Sequence, residues 1–248
     1  MIDSLETNAG PRSFLQNHEF VVRSHNPLIQ EWMEHFDYEK FVDDLSRKYP
    51  KTPFTLKFTG YPFLLYLIER IFGQDIQNKS ILEIGGGSLY GEGVLQYLND
   101  TGAFAIGIDA RSGKNLAFSE KKRGTISRGE WKNLPSEYGQ ELWDCIFHHR
   151  IGIGNNDLEN TTNEALKSGG YYIAFKRHGS GPENPVNKNQ LLEKGYQDFS
   201  FSLDFPEGAF MEDSGYEVTV LRKPVPLVDH AHRTKNTVFS ILGGLKTI

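Results

Sequence analysis

The chain has 248 residues, of which 38% are hydrophobic and 24% are charged, and its formal net charge is −5. This size favours one globular α/β domain with an appendage, and the acidic balance disfavours a general binder of nucleic-acid backbones. A single cysteine, Cys145, excludes an internal disulfide and a cysteine-rich zinc module. No stretch approaches the ~20 apolar residues of a membrane span. We therefore expect a soluble, cytoplasmic protein that acts on small molecules, with no membrane partner and with self-association left open.

The N-terminal region predicts an arm followed by helices. The first ~25 residues are polar and without a sustained period, as in loosely attached segments. Asn26 is placed as an N-cap and Pro27 in a first turn, and the apolar residues that follow lie near helical spacing, so we expect an amphipathic helix or helix pair. The stretch "YPFLLYLIERIFG" is apolar on more than one face, which predicts a buried helix. Residues 1–78 are interpreted as an N-terminal arm and helical cap.

The middle of the chain alternates short apolar runs with segments long enough for crossover helices. This pattern predicts a doubly wound, mostly parallel α/β sheet. The strand-like runs are Ser80–Ile84, Ala103–Ile108, Trp143–Phe147 and Tyr171–Phe175, and the crossover segments include Glu92–Leu98 and Leu158–Leu166.

The end of this region has a different pattern. "YQDFSFSL" and "YEVTVLRK" alternate apolar and polar residues, as half-exposed or antiparallel edge strands do. Pro224 and Pro226 then end the sheet. We assign residues 79–223 to a cofactor-binding core and residues 224–248 to a C-terminal tail.

The stretch "ILEIGGGSLYGEG" places glycines after the first strand of this core, where a loop meets its ligand. A dinucleotide fingerprint fails because Tyr90 stands at the third glycine position and Gly91 comes one residue late. A phosphate-binding P-loop fails because no lysine follows. Glu83, two residues before the first glycine, would repel a pyrophosphate and favour a cation. S-adenosylmethionine, with an ammonium, a sulfonium and no phosphate, fits this pattern.

Two motifs carry a family resemblance. With "LEIGGGS" and "AIGIDAR", the region from Lys79 to Lys223 resembles the class I S-adenosylmethionine-dependent methyltransferases. The resemblance implies that Glu83 helps to position the methionine amino group and that the glycines let the cofactor lie against the loop. It also implies that Asp109 accepts hydrogen bonds from both ribose hydroxyls, and a carboxylate has the two oxygens that this requires.

Later segments extend the resemblance. "TISRGEWKNLP" is similar to the segment in which an acid, here Glu130, contacts the adenine amine and an apolar neighbour, here Trp131, flanks the ring. "LWDCIFHHR" is similar to the fourth strand, and "ALKSGGYYIAF" to the turn into the fifth, with Ser168 in place of a proline. The resemblance implies a seven-stranded sheet with a reversed last strand and an N-terminal helical cap. The positions assigned to the cofactor are Glu83, Gly85, Gly86, Gly87, Asp109, Ala110, Glu130, Trp131 and Phe147.

The candidate catalytic residues are His148 and His149, at the end of the fourth core strand. Adjacent strand residues point in opposite directions, so at most one faces the cleft, where a histidine base would serve a hydroxyl or an acidic carbon acceptor. The alternative is a hydrogen-bonded structural pair. Substrate contacts are expected from Arg150, His178 and Tyr61. The alternatives are that Arg150 is an ordinary surface cation, that His178 lies in a solvated loop and that Tyr61 only packs in the core. His230 and His232 supply too few ligands for a metal site, and none is expected.

These patterns favour methyl transfer from S-adenosylmethionine to a small-molecule acceptor, with S-adenosylhomocysteine as product. A hydroxyl acceptor is slightly preferred over carbon or an amine. The Asn/Asp-Pro-Pro-aromatic signature of amino-group methyltransferases is replaced by "FHHRIGIG", which disfavours a planar nucleobase or amide nitrogen as acceptor but not other amines. The alternatives are a non-catalytic or regulatory module of the same fold and an NAD-dependent oxidoreductase. The oxidoreductase would place the third glycine in register and would have no acid at Glu83.

Overall fold

The structure is a computed structural model, and it describes residues 20–50, 60–85, 89–110, 124, 126–149, 158–178, 186–204 and 215–226. Gly86, Gly87, Arg150, His230 and His232 lie outside these ranges, as do most of the predicted arm and tail. None of the helices in the described ranges is long and apolar enough to cross a membrane.

Two helices with capping side chains follow soon after the start of the described chain. The Asn26 side chain accepts a hydrogen bond from the backbone N–H of Leu28 at 3.0 Å, and helix α1 begins at the following proline. Asp37 accepts from the N–H of Lys40, also at 3.0 Å, and begins a second helix. The amphipathic segment is therefore a helix pair, because a second side-chain cap restarts the helix after His35. These helices are α1 (Pro27–Glu34) and α2 (Tyr38–Lys48).

The predicted buried helix is α3 (Gly60–Phe72), and its residues from Gly60 to Ile68 are all buried. It continues into a 3₁₀ helix at Gly73, whose φ of +53° is one that glycine adopts without strain. The remaining helices are α4 (Leu89–Asp100), α5 (Leu134–Tyr138), α6 (Glu159–Ala165) and α7 (Lys188–Glu193), with a second 3₁₀ helix at Trp131–Asn133.

One sheet contains all the strands of the described residues. Its order is β1-β8-β9-β6-β5-β2-β3-β4, with the short β7 also paired to β9. The strands are β1 (Val21–Arg23), β2 (Ser80–Ile84), β3 (Phe104–Asp109), β4 (Ile126–Arg128), β5 (Trp143–His149), β6 (Leu166–Arg177), β7 (Gln197–Asp198), β8 (Phe201–Asp204) and β9 (Gly215–Arg222).

The strands from β6 to β4 run parallel, whereas β9 is antiparallel to both β6 and β8. The expected doubly wound sheet with a reversed last strand is confirmed. The chain leaves β2 toward β3 on one side, and β5 lies on its other side. The order therefore reverses between β2 and β5, and a crevice at such a point binds ligands at the carboxyl ends of the strands.

The strand count differs from the expected seven, because β1 and the two-residue β7 add to the sheet. β1 lies within the segment predicted as a loose arm. Val22 pairs with Leu203 of β8, and the Arg23 Nε donates to the Asp204 carboxylate at 2.6 Å. The strand forms because β8 would otherwise present unpaired backbone groups at the edge of the sheet.

The two faces of the sheet bury separate hydrophobic clusters. We call the side covered by α1–α4 the front face, where Ile81 and Phe147 point, and the side covered by α5–α7 the back face, where Leu82 and Ile146 point. Strand residues alternate between these faces. The front cluster is continuous from the N-terminal helices to the strands, so the helices rest directly on the sheet that carries the site.

Candidate functional site

Glu83 is the unusual residue at the crevice. It lies in β2 between Gly107 and Phe147 of the neighbouring strands, faces the front side and is only 1% exposed. Burial raises the pKa of its carboxyl to about 8; a hydrogen bond from the Tyr61 hydroxyl opposes this shift, and the negative charge of Asp109 adds to it. The carboxyl oxygen Oε2 has no hydrogen-bond partner among the described residues. A cation at this oxygen would give it a partner and would also stabilise the ionised form of the buried carboxyl.

Asp109 ends β3, one strand away from Glu83, and is half-buried. The chain turns out of β2 at Gly85, whose φ of +78° suits glycine and whose N–H donates to the Ile108 carbonyl at 2.7 Å. This bond holds the start of the glycine loop against the end of β3. Ala110 follows in an exposed position. The structure thus brings Glu83, Gly85 and Asp109 together at one edge.

His149 ends β5 and lies on the same front face. Its ring stacks on Tyr61 with centroids 4.3 Å apart and planes at 29°, and it has the Tyr216 and Phe175 rings at 5.6 and 5.8 Å. Gly60 supports this arrangement, because a Cβ there would lie 2.1 Å from the His149 Nε2. The histidine therefore rests on the first turn of α3.

His148 points to the back face and is 2% exposed. Its Nε2 and the Tyr172 hydroxyl are hydrogen-bonded at 2.8 Å, and the Trp131 ring lies 5.3 Å from the imidazole. The two histidines thus separate as strand alternation requires. His148 has the hydrogen-bonded, packed setting of a structural residue, so the acceptor argument below uses His149 alone.

The expected adenine contacts are more scattered. Glu130 is half exposed and pairs with Lys132 at 2.7 Å. Trp131 is buried in the back cluster and Phe147 in the front cluster, so their rings contribute to the two cores. The structure does not bring Trp131 to the face that carries Glu83. These positions remain predictions as cofactor contacts.

His178 follows β6, and its contacts are with residues other than His148 and His149. Its Nδ1 is 3.4 Å from the Asp204 carboxylate, which also binds Arg23, and its N–H donates to the Gly215 carbonyl at 3.0 Å. In the part of the chain that the structure describes, no group of three or more His, Cys, Asp or Glu residues is arranged to hold a metal ion.

Sequence reasoning missed Gly60, Tyr172 and Tyr216. Gly60 carried a weak signal, because a glycine at the start of an otherwise apolar helix marks a close approach by another group. The two tyrosines carried no signal, since strand alternation alone does not reveal which ring meets a histidine from another strand.

Comparison with known proteins finds no matching family model and no matching curated relative. Solved structures with a similar fold include 1,6-didemethyltoxoflavin-N1-methyltransferase from Burkholderia thailandensis, crystallised with 1,6-didemethyltoxoflavin and S-adenosylhomocysteine. It is 12% identical over 90% of this chain and 98% of that chain, with a TM-score of 0.47. A SAM dependent methyltransferase from Aquifex aeolicus is 14% identical over 75% and 98%, with a TM-score of 0.41. Geranyl diphosphate C-methyltransferase from Streptomyces coelicolor is 11% identical over 65% and 80%, with a TM-score of 0.40.

At these identities and TM-scores, the likenesses carry no argument about chemistry. The sheet itself decides the fold: the parallel strands β4-β3-β2-β5-β6 and the reversed β9 form the mostly parallel sheet with a reversed last strand that the sequence resemblance implies. The chain has a Rossmann-like α/β fold of the kind that the resemblance implies. Glu83 is the next-to-last residue of β2 and Asp109 is the last residue of the neighbouring β3, so both lie near the carboxyl edge of the sheet, where such folds bind ligands.

Proposed function

We propose that the chain is an S-adenosylmethionine-dependent methyltransferase. The observation that carries the proposal is the fully buried Glu83, one of whose carboxyl oxygens has no hydrogen-bond partner among the described residues. Its raised pKa reflects a buried acid without a neighbouring cation. The ammonium group of S-adenosylmethionine would supply that cation and favour the ionised carboxylate.

The neighbouring groups suit the rest of this cofactor. The Asp109 carboxylate has two oxygens that can accept hydrogen bonds from the two ribose hydroxyls. Gly85 has no side chain, so the cofactor can approach the backbone at this position. Neither carboxyl side chain offers a positive charge to the phosphates of NAD. We extend the cofactor site to Gly86, Gly87, Ala110, Glu130, Trp131 and Phe147 on the sequence resemblance alone.

We infer that the acceptor is a small molecule in the cytoplasm and that a hydroxyl is slightly preferred over carbon or an amine. Methyl transfer from a sulfonium is an in-line displacement, so the protein mainly aligns the nucleophile and excludes water. S-adenosylmethionine supplies the activated methyl group. His149, held at the end of β5, is the candidate that removes the proton of a hydroxyl acceptor. Tyr61, Arg150 and His178 remain candidates for substrate contact.

Replacing Asp109 by alanine is expected to weaken S-adenosylhomocysteine binding about thirty-fold, because charge-assisted hydrogen bonds contribute about 2 kcal/mol. Isothermal calorimetry with S-adenosylmethionine, S-adenosylhomocysteine and NAD measures this. Asp44→Ala, which removes an exposed carboxylate paired with Arg47, is the control and should leave the affinity unchanged.

A folded protein that binds neither sulfur ligand, or that prefers NAD, would overturn the proposal. If the ligands bind, formation of S-adenosylhomocysteine with phenolic, carbon-acid and amine acceptors tests the acceptor class. Binding without turnover on any of these acceptors would favour the non-catalytic module.

A further inference from the structure

Tyr61 contacts both halves of the proposed site. It is the second residue of α3 and is buried. Its hydroxyl donates a hydrogen bond to Glu83, and its ring stacks on the His149 imidazole. One side chain therefore joins the buried carboxylate on β2 to the candidate base on β5.

The surroundings leave His149 little freedom to move independently of this contact. The α3 backbone at Gly60 lies so close to the imidazole that even a methyl group would clash with its Nε2. Tyr216 and Phe175 approach from β9 and β6. In a close-packed arrangement of this kind, a change in the position of Tyr61 is passed to the ring stacked on it.

We propose that Tyr61 is a positioning residue that couples the ionisation of Glu83 to the placement of His149. The identity of the cation that ionises Glu83 rests on the proposed function, whereas the coupling rests on the contacts of Tyr61. A tyrosine hydroxyl donates a stronger hydrogen bond to a carboxylate than to a neutral carboxyl group. Cation binding would thus tighten the Tyr61 contact and hold the imidazole in place before the acceptor arrives.

Among the described residues, few other titratable groups lie against Glu83 or His149. Asp109 acts on Glu83 electrostatically, and Tyr216 lies beside His149. Burial, together with the charge that Tyr216 would carry, raises the pKa of Tyr38. Tyr38 therefore stays protonated through neutral and mildly alkaline pH. Glu83 is therefore the group expected to ionise near pH 8 and to be sensed at His149.

The test is a pH titration of the ligand-free protein by NMR, with ¹³C-labelled histidine and the His149 signal assigned from His149→Gln. We expect the His149 signal to show an inflection near pH 8 that disappears in Glu83→Gln. In Tyr61→Phe the stacked ring remains, and the inflection at His149 should be lost. The matched control is Tyr66→Phe on the same helix, whose hydroxyl donates to the Trp32 carbonyl at 2.8 Å, and it should keep the inflection.

A full inflection at His149 in folded Tyr61→Phe would overturn the coupling, since Glu83 would then act on the histidine without the tyrosine. The absence of any Glu83-dependent inflection in the wild type would overturn it as well. The titration contains no cofactor, so either failure is distinct from a failure to bind S-adenosylmethionine, which calorimetry detects separately. Thermal unfolding of each variant at pH 6 confirms that it is folded.

Discussion

Glu83→Gln is expected to remove a pH dependence from the stability of the ligand-free protein. In the unfolded chain the carboxyl loses its proton near pH 4.5, whereas in the folded protein it keeps the proton up to about pH 8. Between these values the folded state binds more protons, so wild-type stability should fall as pH rises, by about 1.4 kcal/mol per pH unit from this group. The variant lacks this contribution and should gain on the wild type by several kcal/mol between pH 5 and pH 9.

Urea unfolding at pH 5, 7 and 9 measures the difference. Glu34→Gln, which changes an exposed carboxylate on α1, is the control and should follow the wild type. Equal pH profiles for wild type and Glu83→Gln would show that Glu83 is ionised in the folded protein at neutral pH, and the argument from its burial would fail.

The same variant tests the cofactor. Glu83→Gln should bind S-adenosylhomocysteine about a hundred-fold more weakly, since the loss of a buried charged hydrogen-bond partner removes about 3 kcal/mol. Wild-type binding at pH 7 should also release a proton, because the carboxyl must ionise to pair with the ammonium group. Calorimetry in two buffers of different ionisation enthalpy detects this release. Binding without proton release would contradict the assigned role.

Gly60→Ala is the second variant with a large expected effect. A Cβ 2.1 Å from the His149 Nε2 has no room, so the ring or the first turn of α3 must shift. Overpacking of this kind destabilises a folded protein by about 1–3 kcal/mol. Removing the imidazole in Gly60→Ala/His149→Ala should recover most of this loss, with a coupling free energy of about 1–3 kcal/mol.

The control for this cycle is Gly129→Ala. A Cβ at Gly129 would lie at ordinary contact distance, 3.5 Å from Ile108, so little change in stability is expected. Urea unfolding of the two single variants, His149→Ala and the double variant completes the measurement. Additive free energies would place His149 elsewhere than against Gly60.

Sequence reasoning succeeded where the signal was local. The run Ser80–Ile84 is β2 to the residue, because a short apolar segment between a polar stretch and glycines has few other ways to be buried. The cap at Asn26 and the start of α1 at Pro27 followed from side-chain chemistry within three residues. The reversed last strand came from the family resemblance, and the register of β9 against β6 agrees with it.

Contacts between segments that are distant in the chain could not be predicted from the sequence. Tyr61 precedes the core and His149 ends its fourth strand, and no pattern in either stretch indicates that the two rings stack. Alternation separated His148 from His149 but did not say which of them shares a face with Glu83. That choice depends on the register between β2 and β5, where Ile84 lies opposite His148.

The strand β1 affects how the chain can be shortened. Val21–Arg23 covers β8, and a polypeptide trimmed to begin at Asn26 would uncover a row of backbone amides and carbonyls along Phe201–Asp204. An uncovered strand of this kind is a template for pairing with another copy. Truncation at that point would therefore produce self-associating material, whereas a cut placed before Phe20 would keep β1 in the chain to pair with β8.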